Sequence, residues 1–245
     1  MPPLFFVPWC NGNTTDFGSV IQGSNPCGTT ILQKKKLMKF GIKESEVKKY
    51  WAERSEKQGL LTCGYGGNKS TTAQKLEYNE KIDFVAPHLK TELPTIDYGC
   101  GVGRWSFLFH SKSYVGMDIE GNLLEIARNR NPKKNYLLLE SPSLTELEDN
   151  VVQEFKKASQ FFSACVFQHC NDELVLKILK NLYDIKSEGI RFVIYENFEV
   201  KLDHVAGRTG QDYVKLFTKA GYKVDATLYA HKVHNEKHGL SVLVT

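Results

Sequence analysis

The chain has 245 residues, 41% of them hydrophobic, with a formal net charge of +4, and a chain of this length buries about 70% of its unfolded surface in one large domain. The charge is mild and spread out apart from Lys34-Lys35-Lys36 and a lysine-rich stretch around Lys48, so it permits an acidic or nucleic-acid partner without demanding one. The six cysteines make no Cys-x-x-Cys pair and no zinc spacing with histidine, which argues against a metal site and for a reducing, cytoplasmic compartment; no apolar run reaches the ~20 residues of a membrane helix, so a soluble protein is expected.

Residues 1 to 37 lack periodicity and are rich in Gly, Asn, Thr, Ser and Pro, the composition of loops and tails. Thr15 to Val20 can be written ACG GAT TTT GGT TCC GTT, in which ACGGA and TCCGT are complementary. Gln22 to Cys27 can be written CAA GGT TCA AAT CCT TGT, in which CAAGG and CCTTG pair. Those hairpins look like the anticodon and T arms of a transfer-RNA gene. The expectation is a frame extended upstream through such a gene, with Met38 as the natural start; the alternative is a flexible tail. Either way no packed structure is expected before Met38, and the coding DNA decides between the two.

From Glu44 to Gln58 the chain reads as a helix, with Val47, Tyr50, Trp51 and Arg54 at helical spacing and Gly59 as its stop. A glycine-rich loop, Leu60 to Lys69, leads to a second helix from a Ser70 cap to Val85, ended by Pro87. Strands then alternate with helices. The expected strands are Pro94 to Tyr98, Tyr114 to Asp118, Tyr136 to Leu139, Phe161 to Phe167 and Ile190 to Tyr195. The expected helices between them are Arg104 to Ser111, Asn122 to Asn129, Leu144 to Lys157 and Asp172 to Lys186. After Thr209 a helix through Ala220 precedes two strands, Tyr222 to Ala230 and Gly239 to Val244, close enough to pair antiparallel. Such alternation implies a parallel sheet covered on both faces, with a binding crevice at the carboxyl ends of its strands. Asp97, Asp118, Glu140 and Gln168 to Cys170 would lie on that rim.

The first strand runs into Gly99-Cys100-Gly101-Val102-Gly103-Arg104. A glycine comb after a buried strand lets the backbone turn sharply, offers N–H groups to a ligand and feeds a helix N-terminus. Arg104 stands where a dinucleotide motif wants its third glycine, and the carboxylate of Asp97 would repel a pyrophosphate but attract a cation. Nineteen residues after Gly99, Asp118 is placed to accept the hydroxyls of a ribose. A cationic head, a ribose and no phosphate describe S-adenosylmethionine.

At these residues the sequence resembles the class I S-adenosylmethionine-dependent methyltransferases. The Asp-x-Gly-x-Gly-x-Gly pattern is met by Asp97, Gly99, Gly101 and Gly103, and Gly116-Met117-Asp118 matches the end of the second strand. The stretch Asp212 to Phe217 with Ala220-Gly221-Tyr222 resembles the approach to that family's final hairpin, and the likeness covers roughly residues 44 to 245. It implies an α/β fold: a doubly wound, mostly parallel seven-stranded sheet with an antiparallel last strand, in a domain over 38–245 made of a helical lid (38–93) and a Rossmann-like core (94–245). It further implies that Asp97 and the Gly99-Cys100-Gly101 backbone hold the methionine part, that Asp118 holds the ribose and that Ile119 lies against the adenine. Glu140 or Ser141 would meet the adenine amino group. Phe167, Gln168 and His169 would face the transferable methyl, with Tyr50, Trp51 and Arg54 on a helix closing over the cofactor. Because a sulfonium is already an activated leaving group, a base is needed only where the acceptor must lose a proton. His169 is the candidate, or else a hydrogen-bonded support of the site. The acceptor is expected to be a small molecule, with no membrane partner.

Two rivals remain at this stage, a catalytically silent S-adenosylmethionine-binding module and a nicotinamide-dependent dehydrogenase, the latter disfavoured by Arg104 and Asp97. Trp105, Phe107, Leu108 and Phe109 read as core packing, His231, His234 and His238 as a solvated turn, and Lys48, Lys49 and Lys57 as an exposed helix face. Gly207-Arg208-Thr209 is either a helix entrance or a site for an acidic substrate group.

Overall fold

The computed structural model of the chain describes residues 41–59, 62, 71–198, 201–202, 204–233 and 236–245. The expected extension 1–37, the Met38 start, the Cys63–Lys69 loop and the Ser70 cap lie outside the described residues.

Helix α1 (Glu44–Gln58) ends on Gly59, whose φ of 51° suits a residue without a side chain. Helix α2 (Thr71–Val85) gives way to a single 3-10 turn, Ala86–His88, at Pro87. Five short apolar runs then form parallel strands: β1 (Thr95–Tyr98), β2 (Tyr114–Asp118), β3 (Asn135–Leu138), β4 (Gln160–Ala164) and β5 (Arg191–Asn197). Helices α3 (Gly121–Arg130), α4 (Asp149–Lys157) and α5 (Asp172–Ile185) lie between them. A two-residue ribbon, β6 (Lys201–Leu202) with β7 (Val205–Ala206), precedes α6 (Gly210–Lys219). Thr209 and Asp212 close a capping box at the start of α6. The hairpin of β8 (Asp225–Val233) and β9 (Glu236–Val244) completes a seven-stranded sheet ordered β3-β2-β1-β4-β5-β9-β8, with β9 antiparallel to both neighbours.

Strand alternation fills both faces. Phe161, Phe192 and Ile194 pack with Ile178, Leu182 and Phe217 from α5 and α6 on one side. Phe162, Val193 and Tyr195 pack with Val85, Trp105 and Leu124 on the other. Each such side chain contributes about 1.5–3 kcal/mol of burial. The chain leaves β1 towards β2 on one side and reaches β4 on the other, which opens a crevice above the carboxyl ends of β1 and β4. Among the described residues no helix is long and apolar enough to cross a membrane.

Three expectations need correction. Arg104 to Ser111 is not an α-helix: the glycine loop enters turns and isolated 3-10 turns at Ser106–Leu108 and Ser111–Ser113. Aromatic, Ser and His residues are poor helix formers, and the Ser106 and Ser113 hydroxyls donate to the carbonyls of Gly103 and His110, a local alternative to helix bonds. Within this segment Trp105 and Phe109 are buried, but Phe107 is 55% exposed. Helix α4 begins at Asp149 rather than Leu144, because Leu144 and Glu146 take positive φ values of 59° and 58°. His238 is fully buried rather than solvated, its ring stacked on Tyr195 with ring centroids 5.5 Å apart.

Candidate functional site

A cleft of about 320 Å³ lies over the carboxyl ends of the central strands. Gly99, Cys100 and Gly101 form its floor. Gly99 has φ 71°, and a Cβ there would lie 2.4 Å from Val166 Cγ2, so the loop turns against the β4 exit at a spacing only glycine permits. At one end Asp118 and Ile119 stand at the exit of β2, beside the apolar surfaces of Leu123, Leu139 and Pro142. One wall is the face of α1 that carries Val47, Trp51 and Arg54, continued by Gln168, His169 and His204. The opposite wall holds Glu77, Tyr78 and Lys81 from α2, with Arg104, Trp105 and Tyr195.

Asp118 is 8% exposed, and its Oδ2 accepts a 2.8 Å hydrogen bond from the Gly101 N–H while Oδ1 accepts from the Glu120 N–H at 3.0 Å. Burial pushes its carboxyl up to about 6, against the pull of those amides. A carboxylate has about four lone-pair positions, so two remain for hydroxyl donors.

Asp97 does not reach the cleft. Alternation in β1 sends Ile96 and Tyr98 to one face and Asp97 to the other, where it is 1% exposed and accepts from the Tyr114 hydroxyl at 2.7 Å. Burial pushes this carboxyl up to about 7, opposed by the Tyr114 hydrogen bond and reinforced by the charge of Asp118. Tyr98, its neighbour in the strand, lines the cleft instead. Glu140 and Ser141 are likewise not on the lining. Glu140 leaves the sheet at its edge and pairs with Lys48 at 3.3 Å in solvent, and the Ser141 hydroxyl is taken up by Ser143 and Thr145. Phe167 is fully buried in the core, its ring 5.9 Å from that of Tyr98.

His169 lines the cleft within a neutral chain of hydrogen bonds. The Asn197 N–H donates to Gln168 Oε1 at 2.8 Å, which leaves the Gln168 amide nitrogen as the donor facing His169 Nε2 at 3.3 Å. His169 Nδ1 lies 3.1 Å from the carbonyl oxygen of His204, which can only accept, so Nδ1 carries the proton. Burial pulls the imidazole down to about 4, opposed by the hydrogen bond to the His204 carbonyl and reinforced by the charges of His204 and Arg54. The ring is therefore neutral near pH 7, with the Nε2 lone pair accepting from the Gln168 amide.

Glu196, which the sequence reading did not assign, and Arg208, which it read within a helix entrance or an acidic-substrate site, build the turn on which His169 sits. Glu196, fully buried, accepts from the N–H groups of Val166, Phe167 and Gln168 at 3.2, 3.0 and 3.0 Å. Arg208, 5% exposed, donates to the carbonyls of Phe167 and Cys170 and to Asp172, each at 2.7 Å. The stretch Gly207–Thr209 is thus the entrance of α6, with Thr209 as its cap, and Arg208 does not line the cleft. A visible signal was the single acid in the apolar run of β5. His204 and Val205, on the β6–β7 ribbon, had none.

The fold recurs in solved structures. The chain superposes on phosphoethanolamine N-methyltransferase 1 of Haemonchus contortus, in complex with phosphoethanolamine and S-adenosylhomocysteine, with TM-score 0.62 and 18% identity, covering 82% of this chain and 49% of that one. It superposes on magnesium protoporphyrin IX methyltransferase of Synechocystis PCC 6803, with S-adenosylhomocysteine bound, with TM-score 0.61 and 15% identity, covering 82% of this chain and 98% of that one. The chain carries the Rossmann-like methyltransferase fold. The same methyltransferase fold serves the [4+2]-cyclase SpnF, which matches with TM-score 0.59 and 9% identity over 84% of this chain and 98% of that one. The chain spans about half the length of the Haemonchus enzyme. No family model and no curated relative matches the sequence.

Proposed function

We propose that the chain is an S-adenosylmethionine-dependent methyltransferase acting on a small-molecule acceptor. The observation that carries this reading is Asp118, a carboxylate at the end of β2 with lone pairs to spare, tied to the glycine loop on the floor of a cleft of ligand size. The residues present suit the cofactor. Asp118 would take the ribose hydroxyls, Ile119, Leu123 and Leu139 the adenine, and the Gly99–Gly101 backbone the methionine part. Asp118, beside the loop and ionised above about pH 6, favours a cation over a pyrophosphate, against a nicotinamide cofactor. When bound, the cofactor supplies a methyl group on a positively charged sulfur. The chain's own part is to align the acceptor and exclude water, effects that supply about 7 to 11 kcal/mol.

Val47 and Trp51, on the cleft face of α1, support a lid role for this helix within a unit of 38–93 and a core of 94–245. The cysteine pattern, with no Cys-x-x-Cys pair, supports a reducing, cytoplasmic setting. Calorimetry with S-adenosylmethionine, S-adenosylhomocysteine and NAD tests the reading, together with transfer of a labelled methyl group into a cell extract. Absent cofactor heat, or tighter binding of NAD, would sink it. A second reading, a cofactor-binding module without turnover, draws support from the engaged lone pair of His169. Cofactor binding with no label transferred to any pool would select it.

A further inference from the structure

Val47, Trp51 and Arg54 lie at i, i+4 and i+7 on one face of α1, and all three line the cleft, so the helix reads along it like a ruler. Val47 shares the lining with the apolar surfaces around Ile119. Trp51 meets His169 edge-on, with ring centroids 5.1 Å apart. The Arg54 guanidinium lies over the Trp51 ring, 5.8 Å from its centroid, close enough for its charge to act on His169. Arg54 therefore acts on the same part of the cleft as His169, at the β4 exit.

Among the described residues Arg54 is held by neutral groups alone. Nη1 donates to the Tyr50 hydroxyl at 3.0 Å and Nε to the Thr62 carbonyl at 3.4 Å, both neutral acceptors, and among the described residues no carboxylate pairs with it. Nη2 makes no hydrogen bond among the described residues. By contrast Lys81, on the opposite wall, is paired with Glu77 at 2.7 Å. A guanidinium held by two neutral groups, half-buried against an indole, with donors left over, is arranged for a planar or tetrahedral oxyanion.

We infer that Arg54 is an acceptor-binding residue and that the methyl acceptor carries an oxyanion, a carboxylate or a phosphate group, which Arg54 holds beside His169. This rests on the methyltransferase reading above and assigns Arg54 to the acceptor rather than to the cofactor. The neutral His169–Gln168 chain next to it leaves the arginine as the charge that sets acceptor choice at this end of the cleft.

The test uses the full chain saturated with S-adenosylhomocysteine and titrated with inorganic phosphate and, separately, with acetate, following the Trp51 indole N–H by NMR. The expected result is saturable binding of at least one oxyanion, weakened about tenfold in Arg54→Gln and less in Arg54→Lys, which keeps the charge but loses the planar fork, with the affinity for S-adenosylhomocysteine unchanged. Equal oxyanion binding by wild type and Arg54→Gln, or none by either, overturns the inference and leaves the cofactor reading standing. It is also overturned if Arg54→Gln weakens S-adenosylhomocysteine but not 5′-methylthioadenosine, which lacks the amino-acid part, because Arg54 would then serve the cofactor carboxylate. A chain that binds phosphate through Arg54 but binds no S-adenosylhomocysteine overturns the cofactor reading and keeps the anion site.

Discussion

The Gly101 N–H donates to Asp118 Oδ2 at 2.8 Å, so the glycine loop after β1 and the acid ending β2 form one unit. Cofactor contacts at either residue are therefore expected to respond to changes at the other.

Replacing Asp118 by Ala removes both the ribose acceptor and the partner of two backbone amides. Cofactor affinity should fall by about 1 to 3 kcal/mol, with a smaller loss in Asp118→Asn, which keeps one acceptor oxygen. Calorimetry with S-adenosylhomocysteine measures both, and an unchanged affinity in the alanine variant would refute the ribose role.

Cofactor affinity should depend on pH through the same carboxyl. Its value in the free chain is pushed up to about 6, and the ionised form is the better acceptor. Affinity should then level off above about 7 and fall as pH drops through 6, by up to about tenfold per unit where binding requires the ionised form. Proton release near pH 6, read from calorimetry in buffers of different ionisation heat, checks the linkage.

His169 should leave no inflection near 6.5 in the pH dependence of methyl transfer, because burial holds the ring neutral down to about 4. Its depressed value acts on folding instead. The native state binds fewer protons here than the unfolded chain below pH 6.5, so the stabilising contribution is complete above 6.5 and is lost as pH falls through 4. Acid unfolding of His169→Gln should accordingly be shifted to lower pH. An inflection near 6.5 that disappears in this variant would restore the role of a base.

Gly99→Ala should destabilise the chain by about 2 to 4 kcal/mol, combining the positive-φ penalty with the Val166 clash. Adding Val166→Ala should relieve the clash but not the backbone strain. Gly121→Ala, where a Cβ meets nothing within 4 Å, should be neutral or slightly stabilising. Thermal unfolding of the four chains separates the two contributions.

Glu196→Gln exchanges one acceptor oxygen for a donor facing the amides of the Val166–Gln168 turn. A loss of about 1 to 3 kcal/mol in urea unfolding is expected, together with weaker cofactor binding because that turn packs on Gly99. Full retention of both would show that the turn holds itself.

Local patterns determined a large part of this molecule. The order of the seven sheet strands and of α1 to α6, the stop of α1 at Gly59, the start of α6 after Thr209, the glycine loop and Asp118 could be read from the sequence, because most of these rest on contacts within a few residues. Which way each side chain points at the carboxyl ends was decided by tertiary structure. Asp97 turns to Tyr114 while Tyr98 takes its place at the cleft, Glu140 turns to Lys48, and Phe167 drops into the core. Glu196, about thirty residues from the turn it holds, and Arg208, about forty, do not show themselves by spacing. The wall of Glu77, Tyr78 and Lys81 and the ribbon carrying His204 exist only once the sheet has brought distant segments together. A one-residue step in a strand or a tight turn reverses a side chain's direction, and the partners that settle that direction are long-range neighbours.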